Sequence, residues 1–153
     1  VQCLDKDDEH YEELRRMEEQ LKTFRTLDGR PYRLIPLPMA RAMYEKVGNG
    51  ENEKMRGQRL PATYANFLIV NGAVLMPTYR DAERDELARR QLQQAFPRHE
   101  IVGIDCRVLI LQHGSLHCCT MQFPSGVINN ELYSFNHEFH KLHKLHKLGL
   151  RHE

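Results

Sequence analysis

The sequence has no run of eighteen or more apolar residues, so it contains no candidate membrane-spanning helix. It begins Val1-Gln2-Cys3-Leu4-Asp5, without an initiating Met, a basic leader or an apolar signal core. That start suggests a fragment or a processed product, with the cytoplasm as the expected compartment. Net charge is almost absent: 22 Lys and Arg stand against 21 Asp and Glu. No long-range field is available to draw in nucleic acid or an anionic membrane, and neither is expected as a partner. The four cysteines, Cys3, Cys106, Cys118 and Cys119, contain no Cys-x-x-Cys pair, which argues against a zinc knuckle, a thioredoxin-like site and a disulfide framework. No cofactor and no fixed metal site are expected.

What is present fits one compact soluble domain with a real core, because 153 residues at 41% hydrophobic and 28% charged can bury one. Residues 7–24 repeat Tyr11, Leu14, Met17, Leu21 and Phe24 at intervals of three or four, which predicts a helix with one buried stripe. Residues 32–37 read as a short strand closed by Pro36 and Pro38, residues 39–47 as a short helix, and residues 48–54 as a solvated loop. Two apolar runs, 66–70 and 73–76, flank Asn71-Gly72 and predict a tight hairpin. Asp81 is placed to cap a helix that Pro97 stops, with Leu87, Ala88, Gln91, Leu92, Ala95 and Phe96 on its apolar side. Short β segments are expected at 101–104 and 108–111, and a further strand at 116–123.

The pattern is α+β, with repeated ββαβ units. Residues 1–127 form the expected domain, and residues 128–153 a low-complexity tail in which His137, His140, His143 and His146 recur every third position. Imidazoles three apart on a helix could hold a divalent metal, but a solvated, repetitive tail is the simpler reading.

The run Gln112-His113-Gly114-Ser115-Leu116-His117-Cys118-Cys119-Thr120-Met121-Gln122 gathers a small-residue turn, two imidazoles and a thiol. A nucleophilic Cys needs a lowered pKa, a cationic neighbour, or a cationic substrate that stabilises the thiolate. Gly114 permits close approach of backbone to ligand. On pattern alone a Cys in an apolar strand is more often a small core residue. On a strand Cys118 and Cys119 would face opposite ways, giving one functional and one core thiol. His117 would then point away from Cys118, into the core or to a backbone hydrogen bond. His113 reads as a loop histidine.

Gly114, Ser115, Leu116, His117, Cys118 and Thr120 resemble the C-terminal motif of the agmatine deiminases and the Porphyromonas-type peptidylarginine deiminases. That motif is a glycine-rich turn, a small or amide residue, an aliphatic, His, Cys and a Thr-containing strand. Residues 60–67 followed by Asn71-Gly72 resemble the segment before that family's penultimate hairpin, and residues 81–97 the helix after it. Where the family often has a run of glycines and an Asn, this chain has Gln112, His113, Gly114 and Ser115.

The resemblance implies part of a five-bladed α/β propeller and hydrolytic deimination of a guanidinium substrate with Cys118 as nucleophile. Agmatine would give N-carbamoylputrescine and ammonia. It implies that the catalytic His and the guanidinium-binding carboxylates come from earlier in the enzyme. Asn66 and Gly114 are candidates for lining the substrate site, although Asn66 could equally cap the turn before its strand. Two propeller units alone would leave edges and apolar surface uncovered, which favours association with a partner or with further copies of the chain. Three alternatives stand beside agmatine: a peptidylarginine substrate giving citrulline, a non-catalytic assembly module, and an acyl-directed cysteine hydrolase.

Overall fold

A computed structural model describes residues 1–46, 56–124, 126 and 127. The expected loop at 48–54 and the His-rich tail lie outside the described residues. The chain divides into a unit of residues 1–120 and a second of residues 121–153.

The first unit centres on a three-stranded sheet. Strands β3 (Leu68–Val70) and β4 (Ala73–Thr78) form the expected hairpin, with Val70 opposite Ala73. Its turn depends on glycine: Gly72 sits at φ 79°, which side chains with a Cβ rarely adopt. Helix α2 (Ala82–Ala95) then crosses over so that β5 (Glu100–Asp105) runs parallel to β4 in unbroken register, from Ala73 against Glu100 to Thr78 against Asp105. The Asp81 side chain accepts from the Arg84 backbone N–H, as its position before the helix predicts.

This β-β-α-β unit builds the core. Ala88 and Leu92 of α2 pack with Val74 and Met76 of β4, and with Tyr64, Tyr79, Cys106, Ile110 and Leu116. Leu87, placed on the apolar side of α2 by its spacing, is instead exposed, as is Ala95.

Several local expectations are overturned before and after this unit. Helix α1 (Tyr11–Thr23) forms, braced by Glu12 with Arg15 and by Glu18 and Glu19 with Lys22, but it has no buried residue. Met17, Leu21 and Phe24 are exposed. Periodicity identifies residues that share a face; it does not supply the surface that covers them. The strand expected at 32–37 does not form; isolated bridges stand only on either side of it, Arg25 with Pro31 and Gln2 with Pro38, and prolines at 31, 36 and 38 have no N–H for a ladder.

The helix expected at 39–47 is replaced by β1 (Tyr44–Lys46). It pairs antiparallel with β2 (Arg56–Arg59), a strand that the sequence did not signal. Beyond β5 the predicted strands at 108–111 and 116–123 are 3-10 turns, Leu109–Gln112 and His117–Cys119. Cys106 N–H donates to Thr78 O, and the chain then leaves the sheet. The apolar residues in these runs act as single anchors, with Ile110 and Leu116 buried and Leu111 exposed.

Candidate active site

β4 and β5 run parallel and β3 runs against them, so one edge of the sheet gathers the end of β4, the end of β5 and the start of β3. Three segments meet there: residues 63–66, residue 79, and the turns at 109–119. Ligand sites in such sheets favour the carboxyl ends of parallel strands.

A buried tyrosine joins the three. Tyr79 OH accepts from the Thr63 backbone N–H at 2.9 Å, donates to Thr63 O at 3.0 Å and meets Ser115 Oγ at 3.1 Å. Ser115 is 2% exposed, and its hydroxyl also bonds the buried thiol of Cys106. Burial pushes the pKa of Tyr79 up, so the phenol stays protonated and can donate. Tyr64 packs edge-on against Tyr79 and donates to Asp85 Oδ1 at 2.7 Å. That carboxylate also accepts the Tyr79 backbone N–H at 3.1 Å and the Asp81 backbone N–H at 3.2 Å. The first turn of α2 is thereby fastened to the same edge.

Above this base the chain turns sharply. His113 ends the first 3-10 turn in the left-handed region, at φ 61°, and its ring meets Glu45 Oε1 at 2.7 Å. Gly114 follows immediately. A Cβ on Gly114 would stand 3.1 Å from Cys118 Cβ and 3.8 Å from its Sγ, so the glycine allows the thiol to fold back over the turn.

Cys118 lies in the second 3-10 turn and is exposed. Asn66 reaches it from across the site: Nδ2 donates to Cys118 Sγ at 3.3 Å, and Oδ1 accepts the His117 backbone N–H at 2.6 Å. The Ser115 backbone N–H, followed by the Asn66 amide, holds the Cys118 thiol below its ordinary pKa, against a smaller opposing effect of burial. The structure thus brings together all three residues singled out in the sequence, Cys118, Asn66 and Gly114.

Other expectations for this segment fail because the strand is absent. Cys118 and Cys119 do not alternate across a sheet; both are exposed, and Gln112 Nε2 donates to Cys119 Sγ at 3.0 Å. The His117 residue is exposed rather than packed in the core. Cys106 and Cys3 are the buried thiols. Tyr79 and Asp85 were missed, because single polar residues inside or beside apolar runs carry no periodic signal, and Ser115 was noted only as a small residue of the motif.

A recess of about 600 Å³ elsewhere in the first unit, walled by Cys3, Leu37, Ala40, Arg84 and neighbours, includes none of the three residues. Among the described residues there is no cluster of three or more His, Cys, Asp or Glu side chains able to hold a metal ion, and no helix long and apolar enough to cross a membrane.

The family model of the Porphyromonas-type peptidyl-arginine deiminases matches residues 1–124. The agmatine deiminase of Medicago truncatula is 37% identical over 133 residues, covering 79% of this chain and 35% of that protein. A Porphyromonas gingivalis crystal structure proposed to be an arginine deiminase superposes with a TM-score of 0.74 at 54% identity, covering 84% of this chain and 35% of that one. A C. jejuni agmatine deiminase with substrate bound, in which one cysteine is replaced by serine, gives 0.61 at 40% identity over 76% of this chain and 30% of that one. The chain therefore spans about a third of the length of these relatives. Its α+β unit is part of the α/β propeller of these deiminases, and the chain belongs to the Porphyromonas-type peptidyl-arginine deiminase family.

Proposed function

We propose that this chain supplies the nucleophile segment of a hydrolase that deiminates a guanidinium substrate, and that the substrate is agmatine. The observation that carries the proposal is the exposed Cys118 thiol, bonded by the Asn66 amide and held below its ordinary pKa. A thiolate so prepared attacks an electrophilic carbon, and a cationic guanidinium stabilises it further on arrival.

In this reading Cys118 Sγ bonds to the guanidinium carbon to give a tetrahedral adduct. Ammonia leaves once protonated, and water cleaves the remaining carbon–sulfur bond to release N-carbamoylputrescine and regenerate the thiol. Gly114 and Asn66 line the approach: the first leaves room beside the sulfur, and the second has one more amide hydrogen to offer. By the family resemblance, the proton-transferring His and the guanidinium-binding carboxylates belong to the part of the enzyme that these 153 residues do not span. The reaction makes a precursor of putrescine. The cytoplasmic placement belongs to the same proposal and rests on four free thiols, which persist in reducing compartments.

Agmatine is preferred to protein-bound arginine because the relatives from M. truncatula and C. jejuni are agmatine deiminases. The test, made on the full-length enzyme that carries this segment, is protection of Cys118 from iodoacetamide, followed by peptide mapping. Free agmatine is expected to slow alkylation of Cys118, and an N- and C-blocked arginine peptide to do so weakly. Protection by the peptide and not by agmatine would reverse the substrate assignment; protection by neither would reject the guanidinium site.

A further inference from the structure

We propose that Cys119 is a resolving thiol for the nucleophile: when a peroxide oxidises Cys118, Cys119 closes a reversible disulfide onto it and so keeps the site from irreversible oxidation. This rests on the deiminase reading only for the activity that the bond switches off.

The geometry follows from the missing strand. On a strand two adjacent residues face opposite ways, whereas the 3-10 turn His117–Cys119 leaves both thiols exposed. Both sulfurs are drawn back onto one loop, residues 112–115. Cys118 Sγ takes the Ser115 backbone N–H and would stand 3.8 Å from a Cβ placed on Gly114. Cys119 Sγ takes the Gln112 side-chain amide at 3.0 Å. Cys3 and Cys106 are buried, so Cys119 is the thiol within reach of an oxidised Cys118.

An exposed thiol held below its ordinary pKa is the kind that peroxides attack. The Cys118 thiolate takes one oxygen from hydrogen peroxide to give a sulfenic acid, and the other oxygen leaves as hydroxide. Further peroxide would carry a lone sulfenic acid on to sulfinic and sulfonic acids, which thiols do not reverse. The neighbouring Cys119 sulfur intercepts it: the S–S bond forms, the S–O bond breaks, and the oxygen leaves as water with the Cys119 proton. Two thiols are thereby oxidised by two electrons and one peroxide is reduced to water.

The backbone makes this bond temporary. Consecutive Cα atoms stand about 3.8 Å apart across a trans peptide, short of the roughly 4.4–6.8 Å that disulfides usually span. A bridge between neighbours is therefore strained, and strained, exposed disulfides are the readily reduced ones.

The test treats the full-length enzyme that carries this segment with hydrogen peroxide until Cys118 no longer alkylates with iodoacetamide. The tryptic peptide of residues 108–141, which holds Cys118 and Cys119 and no other cysteine, is then weighed without reduction. In the native enzyme it is expected to be unalkylated and about 2 Da lighter than its dithiol form, and dithiothreitol should restore most of the lost activity. Cys119→Ser should start with near-native activity, gain two or three oxygens on Cys118 under the same treatment, and stay inactive after dithiothreitol. A native peptide carrying those oxygens on Cys118, or a Cys119→Ser variant that recovers as fully as the native enzyme, overturns the proposal. Should the variant not fold, the native peptide decides: a bridge located between Cys118 and Cys119 by fragmentation supports the proposal, and oxygenated Cys118 overturns it. An enzyme without agmatine turnover would remove the deiminase reading, while the mass of the peptide still decides the role of Cys119.

Discussion

Replacing Tyr79 by Phe removes one oxygen and keeps the ring, so its effect isolates the hydrogen bonds that join the segments around Cys118. The edge-on contact with Tyr64, at 5.4 Å between ring centres, should survive, and no cavity of consequence opens. Three partners lose the hydroxyl: the N–H and C=O of Thr63, and Ser115 Oγ. Ser115 retains Cys106, and Thr63 is half-buried, so solvent can reach part of what is left. A buried donor left without a partner costs about 1–3 kcal/mol, and partial rescue puts the expected loss near 2 kcal/mol. In urea unfolding, with a slope of about 1–3 kcal/mol per molar for a chain of this size, the midpoint should fall by about 1 M with the slope unchanged. The variant should also lose the preference of iodoacetamide for Cys118, because both N–H donors to the sulfur depend on the same hydroxyl. A loss under about 0.5 kcal/mol, within the range of ordinary surface substitutions, would refute the claim that Tyr79 secures the site. Tyr64→Phe is the control: it removes a bond to Asp85 and should lower stability without changing Cys118.

Gly114→Ala places a Cβ 3.1 Å from Cys118 Cβ; it should cost about 1 kcal/mol, and alkylation of Cys118 should slow while that of Cys119 is unchanged. The Arg59 guanidinium grips Asp8 with two bonds of 2.9 Å and holds its carboxyl at about 2, well below the ordinary 3.8. A depressed carboxyl stabilises the fold above its unfolded pKa and loses that contribution as it is protonated, here as the pH falls from about 4 to 2. The loss should be about 1 kcal/mol after allowance for solvent screening, and Arg59→Gln should abolish this acid-side slope in pH-dependent unfolding. Leu92→Ala, in the centre of the α2 contact with the sheet, should lose about 2–5 kcal/mol in the same assay and serves as the benchmark for core damage.

The parts of the fold that the sequence disclosed are those fixed by local rules. Asn71-Gly72 defines a hairpin because the turn needs a positive φ, and Asp81 with Pro97 brackets α2 because capping and proline geometry act within a few residues. The parts that it hid depend on distant partners. Residues 44–46 became a strand only because residues 56–59 pair with them, and the stripe of α1 is left without a buried residue because spacing alone supplies no covering surface. Apolar residues at 109–111 and 116 suggested strands, yet each burial is a single anchor on a turn, which a short run cannot distinguish from alternation. The site follows the same division. Cys118, Gly114 and Asn66 were visible through the family motif, while the contact between Asn66 and Cys118 spans 52 positions and rests on Tyr79, which no motif marked.

The central claim is that Cys118 is a nucleophile matched to a guanidinium cation. It is tested most directly by treating the full-length enzyme that carries this segment with a haloacetamidine, which bears that cation, alongside neutral iodoacetamide, and mapping the modified cysteines by mass. The account predicts that the haloacetamidine selects Cys118 over Cys3, Cys106 and Cys119, and that free agmatine blocks it. Labelling spread over the cysteines, or a Cys118 that reacts alike with both reagents and is unprotected by agmatine, would contradict it.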